Sequence, residues 1–129
     1  MPTIRTLVAD TIVVLDETIL HKPIDEQDAR RMLAALSGRT HVVTTRFAVA
    51  SRSRKMTESV STRVTLRTVS DDEIDDYVAS GEGRDKAGGY AIQGRAGAFV
   101  ESIEGSYGAV VGLPACEVSI ALRAISSPR

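Results

Sequence analysis

The stretch TLVADTIVVL, Thr6 to Leu15, sets the first element of this chain. It is almost continuously apolar and rich in β-branched side chains, which suits a central strand buried on both faces. Asp10 and Thr11 interrupt it. A carboxylate inside such a strand is costly unless something pairs with it. The run therefore predicts a sheet with a polar point in it.

Working outward, Asp25 reads as an N-cap, with Glu26 and Asp28 in the first turn where the helix dipole favours acids. Ala29, Met32, Leu33 and Leu36 form one apolar stripe, and Gly38 is the stop. His41–Ser51 and Ser59–Thr68 read as strands joined by the basic turn RSRKM, an antiparallel pair. In the second, Val60, Val64 and Leu66 are expected inward and Arg63, Thr65 and Arg67 outward. Ser70-Asp-Asp-Glu73 is a capping box that opens a short helix with Ile74, Tyr77 and Val78 on its inner face, closed by Gly81. A glycine-rich stretch, GEGRDKAGGYAIQG from Gly81 to Gly94, leads to a strand over Ala98–Ile103. Pro114 suits the first position of a last helix, whose apolar side is Val118, Ala121, Leu122 and Ile125. Strands and helices intermix without a strict βαβ beat, so the fold class is α/β in the mixed, α+β sense.

Composition bounds the function. The 129 residues are 43% hydrophobic, which predicts one domain over residues 1–129 with a core of its own. The net charge of −1 and the 4% aromatic content argue against a nucleic-acid polymer as partner. The absence of a long apolar run argues against a membrane. One cysteine, Cys116, and no signal-peptide pattern predict a cytoplasmic protein.

Each candidate side chain carries two readings. Asp10 is either a strand-end acid held by backbone amides or a metal ligand or general base at the mouth of the sheet, with Thr11 adding an orienting hydrogen bond. Lys22, kept extended by Pro23, is either a solvated lysine or a point charge aimed at a phosphate. The glycine-rich loop is either a bent connection or an anion cradle; its spacing matches neither a Walker A loop nor a dinucleotide fingerprint. Gln93 is either a surface amide or a reader of a base edge. His21 and His41 lack the partners of a zinc site. Cys116 reads as a packed small residue.

In their order along the chain these signals say more. VADTIVVLD (Val8–Asp16), KPIDEQDARRMLAALSGRTHVVTT (Lys22–Thr45), VSDDEIDDYVASGEGRDKAGGYAIQG (Val69–Gly94) and IEGSYGAVVGLP (Ile103–Pro114) resemble the Maf family of nucleotide pyrophosphatases, over about Leu7 to Leu122. The last two blocks are similar to the branch acting on dTTP and UTP. The resemblance implies a twisted mixed sheet flanked by helices. It implies a cytoplasmic, homodimeric enzyme that cuts nucleoside triphosphates to the monophosphate and pyrophosphate with a divalent metal, Mg2+ or Mn2+. It makes Asp10 the proton acceptor, Thr11 and Gln93 the base-selecting residues, and Lys22 and Lys86 the phosphate contacts. Glu82 and Asp85 are added as polar or metal-shell groups. The family's S-x-S-P-R-R segment is not among the 129 residues, so the expectation is an N-terminally truncated member with an uncovered apolar surface around Leu7 to Val14. His21 and Arg46 stand where the family usually keeps glycine. The alternative is a catalytically inactive Maf-like domain that binds a nucleotide or a protein partner.

Overall fold

The computed structural model describes residues 4–112 and 115–126. Five strands form one sheet in the order β2-β1-β3-β4-β5: β1 Ile4–Leu15, β2 Thr18–Leu20, β3 Thr40–Ser51, β4 Lys55–Leu66 and β5 Val100–Glu104. Every pairing is antiparallel. The helices are α1 Glu26–Leu36, α2 Asp71–Ser80, α3 Tyr107–Val111 and α4 Ala115–Ser126. The mixed α/β reading of the sequence holds.

The most buried strand is β3, not β1. His41, Val43, Thr45, Phe47, Val49 and Ser51 alternate into the interior, while Arg46 points to solvent. Residues Thr6 to Asp10 of β1 are exposed, and Leu7 and Val8 are 43% and 56% accessible. The expectation of a strand buried on both faces therefore fails over this half. The cause is topological: β2 reaches only Val13, Val14 and Leu15, so Ile4 to Ile12 have a partner strand on the β3 side alone among the described residues. The uncovered apolar surface expected from Leu7 onward is present at Leu7 and Val8, and stops at Val13, which is buried.

One face of the sheet carries the helices. Val13, Leu15, Val43, Val64 and Leu66 pack against Ala29, Met32, Leu33 and Leu36 of α1 and Ile74, Tyr77 and Val78 of α2. Each large aliphatic side chain buried there contributes about 1.5–3 kcal/mol. Further along the same face, Phe47 and Val49 pack against Val118, Ala121 and Ile125 of α4. The opposite face is rich in hydroxyls, as in the Thr44–Ser61 and Thr40–Thr65 cross-strand bonds of 2.9 and 2.7 Å.

The caps are those the sequence predicts. Asp25 accepts from Asp28 N at 2.7 Å, and Ser70 and Glu73 exchange backbone bonds of 3.2 and 3.0 Å. Gly81 closes α2 at φ 76°. Arg67 reaches Glu73 at 2.7 and 3.1 Å, and this pairing, helped by the Ser70 backbone N–H, pulls the Glu73 carboxyl down to about 2. Strand β4 starts at Lys55, earlier than expected, because a tight turn closed by Ser51 N to Arg54 O at 2.8 Å needs only Arg52 and Ser53. Strand β5 starts at Val100, after a 3-10 turn over Arg95–Phe99. Cys116 is exposed rather than packed. Pro114 lies outside the described residues.

Candidate functional site

The two apolar clusters on the helical face are distinct. Val43 belongs to the first and Phe47 to the second, with Thr45 between them on β3. Beside this point a cleft of about 230 Å³ opens between the Asp85–Gln93 segment and the end of α3. Val13, Val43, Tyr90, Ile92, Val110 and Val111 give it apolar surface. Its polar groups are Asp10, Thr11, Lys22, Asp85, Lys86 and Gln93. Residues 83 positions apart in the chain thus share one cleft, from Asp10 to Gln93.

Each group arrives by a separate local device. Asp10 and Thr11 point to alternate faces of β1, as their β3 partners Arg46 and Thr45 do. Both reach the cleft because, among the described residues, β1 has no second partner strand at this point. One Asp10 oxygen accepts the Thr11 backbone N–H at 3.1 Å; the other has no partner among the described residues. The Thr11 hydroxyl lies 2.8 Å from that of Thr45, whose own proton goes to the Ala109 carbonyl at 2.5 Å. Lys22 leaves the end of β2 through His21, and the His21 carbonyl accepts from Gly88 N–H at 3.1 Å. That bond ties the Lys22 segment to the Lys86 loop. Neither lysine is in an ion pair among the described residues.

The glycines of the loop serve its own folding first. A Cβ on Gly83 would meet the Gly89 carbonyl oxygen at 2.0 Å, so the loop can fold back on itself only with bare backbone there. Gly94 lies against the Glu82 carboxylate, which accepts from Arg95 N–H at 2.9 Å. Glu82, expected beside a metal, instead caps the Arg95–Phe99 turn and does not line the cleft; its partner, the Arg95 amide, comes into reach only when the loop closes. Asp85 does line it. Among the described residues no three His, Cys, Asp or Glu side chains cluster as a metal cage. Arg46 does not line the cleft; its Nε faces Ser59 Oγ at 3.5 Å.

Sequence reasoning missed the buried polar residues behind the cleft, Thr45 and His41. Thr45 is fully buried, and its signal is a lone hydroxyl in the phase 41, 43, 45, 47, 49 that otherwise turns inward. His41 is 1% exposed, and its Nε2 lies 2.6 Å from the hydroxyl of Tyr90, a cleft residue. Burial lowers the imidazole to about 4 and pushes the Tyr90 phenol up. His41 is therefore a neutral strut under the cleft wall at neutral pH.

Residues 3–125 match the family model described as Maf-like protein. The chain belongs to the Maf family. Among curated Maf-family relatives, it is 54% identical over 118 residues to the dTTP/UTP pyrophosphatase of Photobacterium profundum, covering 92% of this chain and 60% of the relative. It is 48% identical over 125 residues to the dTTP/UTP pyrophosphatase of Shewanella denitrificans, covering 97% and 63%. It is 53% identical over 121 residues to that of Citrifermentans bemidjiense, covering 92% and 63%. The chain thus spans less than two thirds of the length of these Maf relatives.

Proposed function

We propose that this Maf-family chain hydrolyses nucleoside triphosphates of the dTTP and UTP type to the monophosphate and pyrophosphate. The observation that carries this reading is the gathering of Asp10, Lys22, Lys86 and Gln93 on one cleft from separate segments of the chain. The relatives named dTTP/UTP pyrophosphatase support the substrate class.

Phosphoanhydride cleavage asks chiefly for positioning and charge neutralisation. The Lys22 and Lys86 ammonium groups neutralise charge on the phosphates, above all on the departing pyrophosphate. The free oxygen of Asp10 takes a proton from, and aims, the water that attacks the α-phosphorus. Thr11 and Gln93 hold the base. Two lysines facing two carboxylates leave the cleft without excess positive charge, so a triphosphate needs further cationic help. Asp10 and Asp85 fit a hard divalent cation, Mg2+ or Mn2+, because such an ion needs only one or two carboxylates when phosphates and water complete its shell. When bound it neutralises phosphate oxygens and acidifies water.

The test is pyrophosphate release by the purified chain with dTTP, UTP and CTP in the presence of Mg2+ or Mn2+, with Asp10→Asn as control. Loss of release in Asp10→Asn supports the reading; equal release from both proteins overturns it. The second reading, an inactive nucleotide-binding domain, is favoured by the lack of a third carboxylate or imidazole at the cleft among the described residues. Thermal stabilisation by nucleotide without turnover would select it.

The reading extends to a homodimer in the cytoplasm. The edge of β1, without a second partner strand from Ile4 to Ile12 among the described residues and with Leu7 and Val8 exposed, supports the dimer, since open apolar edges recruit a second chain. A mass that falls to the monomer in Val8→Lys supports it. An unchanged mass removes this edge from consideration.

A further inference from the structure

The Thr45 hydroxyl carries one proton, and a carbonyl oxygen can only accept, so that proton is committed to Ala109 at 2.5 Å. The 2.8 Å contact between the two hydroxyls must then run the other way: Thr11 donates and Thr45 accepts. Thr45 is buried without access to water, so no solvent molecule competes at its own oxygen. The Ala109 oxygen is itself held in place. It belongs to the last turn of α3, where carbonyls lack intrahelical donors. The start of α3 is bolted to β4 by Ser106 N to Thr62 Oγ1 at 2.9 Å and Thr62 Oγ1 to Ser106 O at 3.0 Å. With its proton turned into the sheet, Thr11 offers the cleft only lone pairs.

We propose that Thr45 is a positioning residue for base selection, which fixes Thr11 as an obligate hydrogen-bond acceptor at the cleft. This rests on the nucleotide reading given above. An acceptor there pairs with the imino N–H of uracil or thymine. It opposes the ring nitrogen of cytosine, which is an acceptor too, and leaves both oxygen and nitrogen without a proton between them. Gln93, on the same cleft, can serve either base, because its amide both donates and accepts. The polarity of the choice therefore lies with Thr11, and its cause lies one hydroxyl deeper.

The experiment compares kcat/KM for UTP and CTP, and binding of UMP and CMP, in the wild-type chain, Thr45→Val and Thr45→Ser, with Tm for each. Valine keeps the shape and removes the acceptor, so Thr11 becomes free to donate to cytosine. The UTP-to-CTP preference is expected to drop about tenfold in Thr45→Val and to stay in Thr45→Ser. Thr45→Cys, a weaker donor, supplies the same comparison if the valine variant does not fold. A purely structural role would lower Tm and weaken both nucleotides alike with the ratio unchanged; that result overturns the proposal. So does a wild-type chain that handles UTP and CTP equally, which leaves the nucleotide reading standing. Failure of the wild type to bind either nucleotide removes the nucleotide reading itself and this inference with it.

Discussion

The Gly88 N–H donates to the His21 carbonyl at 3.1 Å, and through that bond the segments carrying Lys22 and Lys86 are held side by side. Gly88 sits at φ 78°, and a Cβ there would meet the Val13 side chain at 3.1 to 3.3 Å. Gly88→Ala is expected to lose about 1–2 kcal/mol of stability from the left-handed backbone alone. It should also weaken nucleotide binding by parting the lysines. Urea unfolding and nucleotide titration of the variant check both. A destabilised variant with unchanged nucleotide affinity would show that the clamp does not space the ammonium groups.

Lys22 and Arg46 are both exposed cations near Asp10, yet their removal should have unequal effects. Lys22 lines the cleft, whereas Arg46 is the cross-strand neighbour of Asp10 with its Nε turned to Ser59. Lys22→Ala and Lys86→Ala are each expected to raise KM for the triphosphate by about tenfold or more. Arg46→Ala should stay within about twofold, as expected for a solvated surface charge. Steady-state kinetics on the three variants decides this, and a large effect at Arg46 would make it a phosphate contact.

Stability should fall on mild acidification because of His41. Its ordinary value is 6.5 and burial lowers it to about 4 in the folded chain. Below 6.5 the unfolded chain takes up a proton that the folded chain refuses, so the stability present above 6.5 is lost progressively as pH falls toward about 4. Between pH 7 and pH 5 the loss should be about 2 kcal/mol. The Glu73 contribution disappears in a lower window, from 4.5 down to about 2. Urea unfolding at the two pH values, on wild type and His41→Leu, separates the two contributions: the variant's stability should be flatter across this range. An equal slope in both proteins assigns the loss elsewhere.

The turn between β1 and β2 leaves stability unrealised. Asp16 and Glu17 adopt φ 48° and 70° to close a two-residue hairpin. Such turns favour Asn-Gly or Asp-Gly. Glu17→Gly should relieve the left-handed strain and gain about 1 kcal/mol, raising Tm by roughly 3–5 °C. Asp16, which pairs with Arg39, is untouched. Calorimetry reads the shift, and a lowered Tm would mean that Glu17 holds a contact worth more than its strain.

Local features were legible in the sequence because their causes are local. The Asp25 cap, the Ser70–Glu73 capping box and the Gly81 stop each satisfy backbone groups within a few residues, and each is found where expected. The apolar stripes of α1, α2 and α4 follow from helical period alone. The burial of β1 was misjudged because an apolar strand does not announce how long its neighbour is; β2 has three residues, and that length exposes Leu7 and Val8. Glu82 was misplaced because its carboxylate finds the Arg95 amide only after the glycine loop folds back on itself.

By itself, the sequence determined α1, α2, α4 and the four longer strands, and the chemical types available to the cleft: an acid and a hydroxyl on one strand, a lysine before a proline, and a lysine and an amide within a glycine-rich loop. Hydrogen-bonding groups, charges and backbone freedom belong to residues, and they can be read without coordinates. Only the tertiary structure decided which of these meet. It seated Asp10 on an open edge, bound His21 to Gly88, and buried Thr45 against Ala109. Those outcomes depend on strand register and on the meeting of segments far apart in the chain, where partners are fixed by packing as a whole.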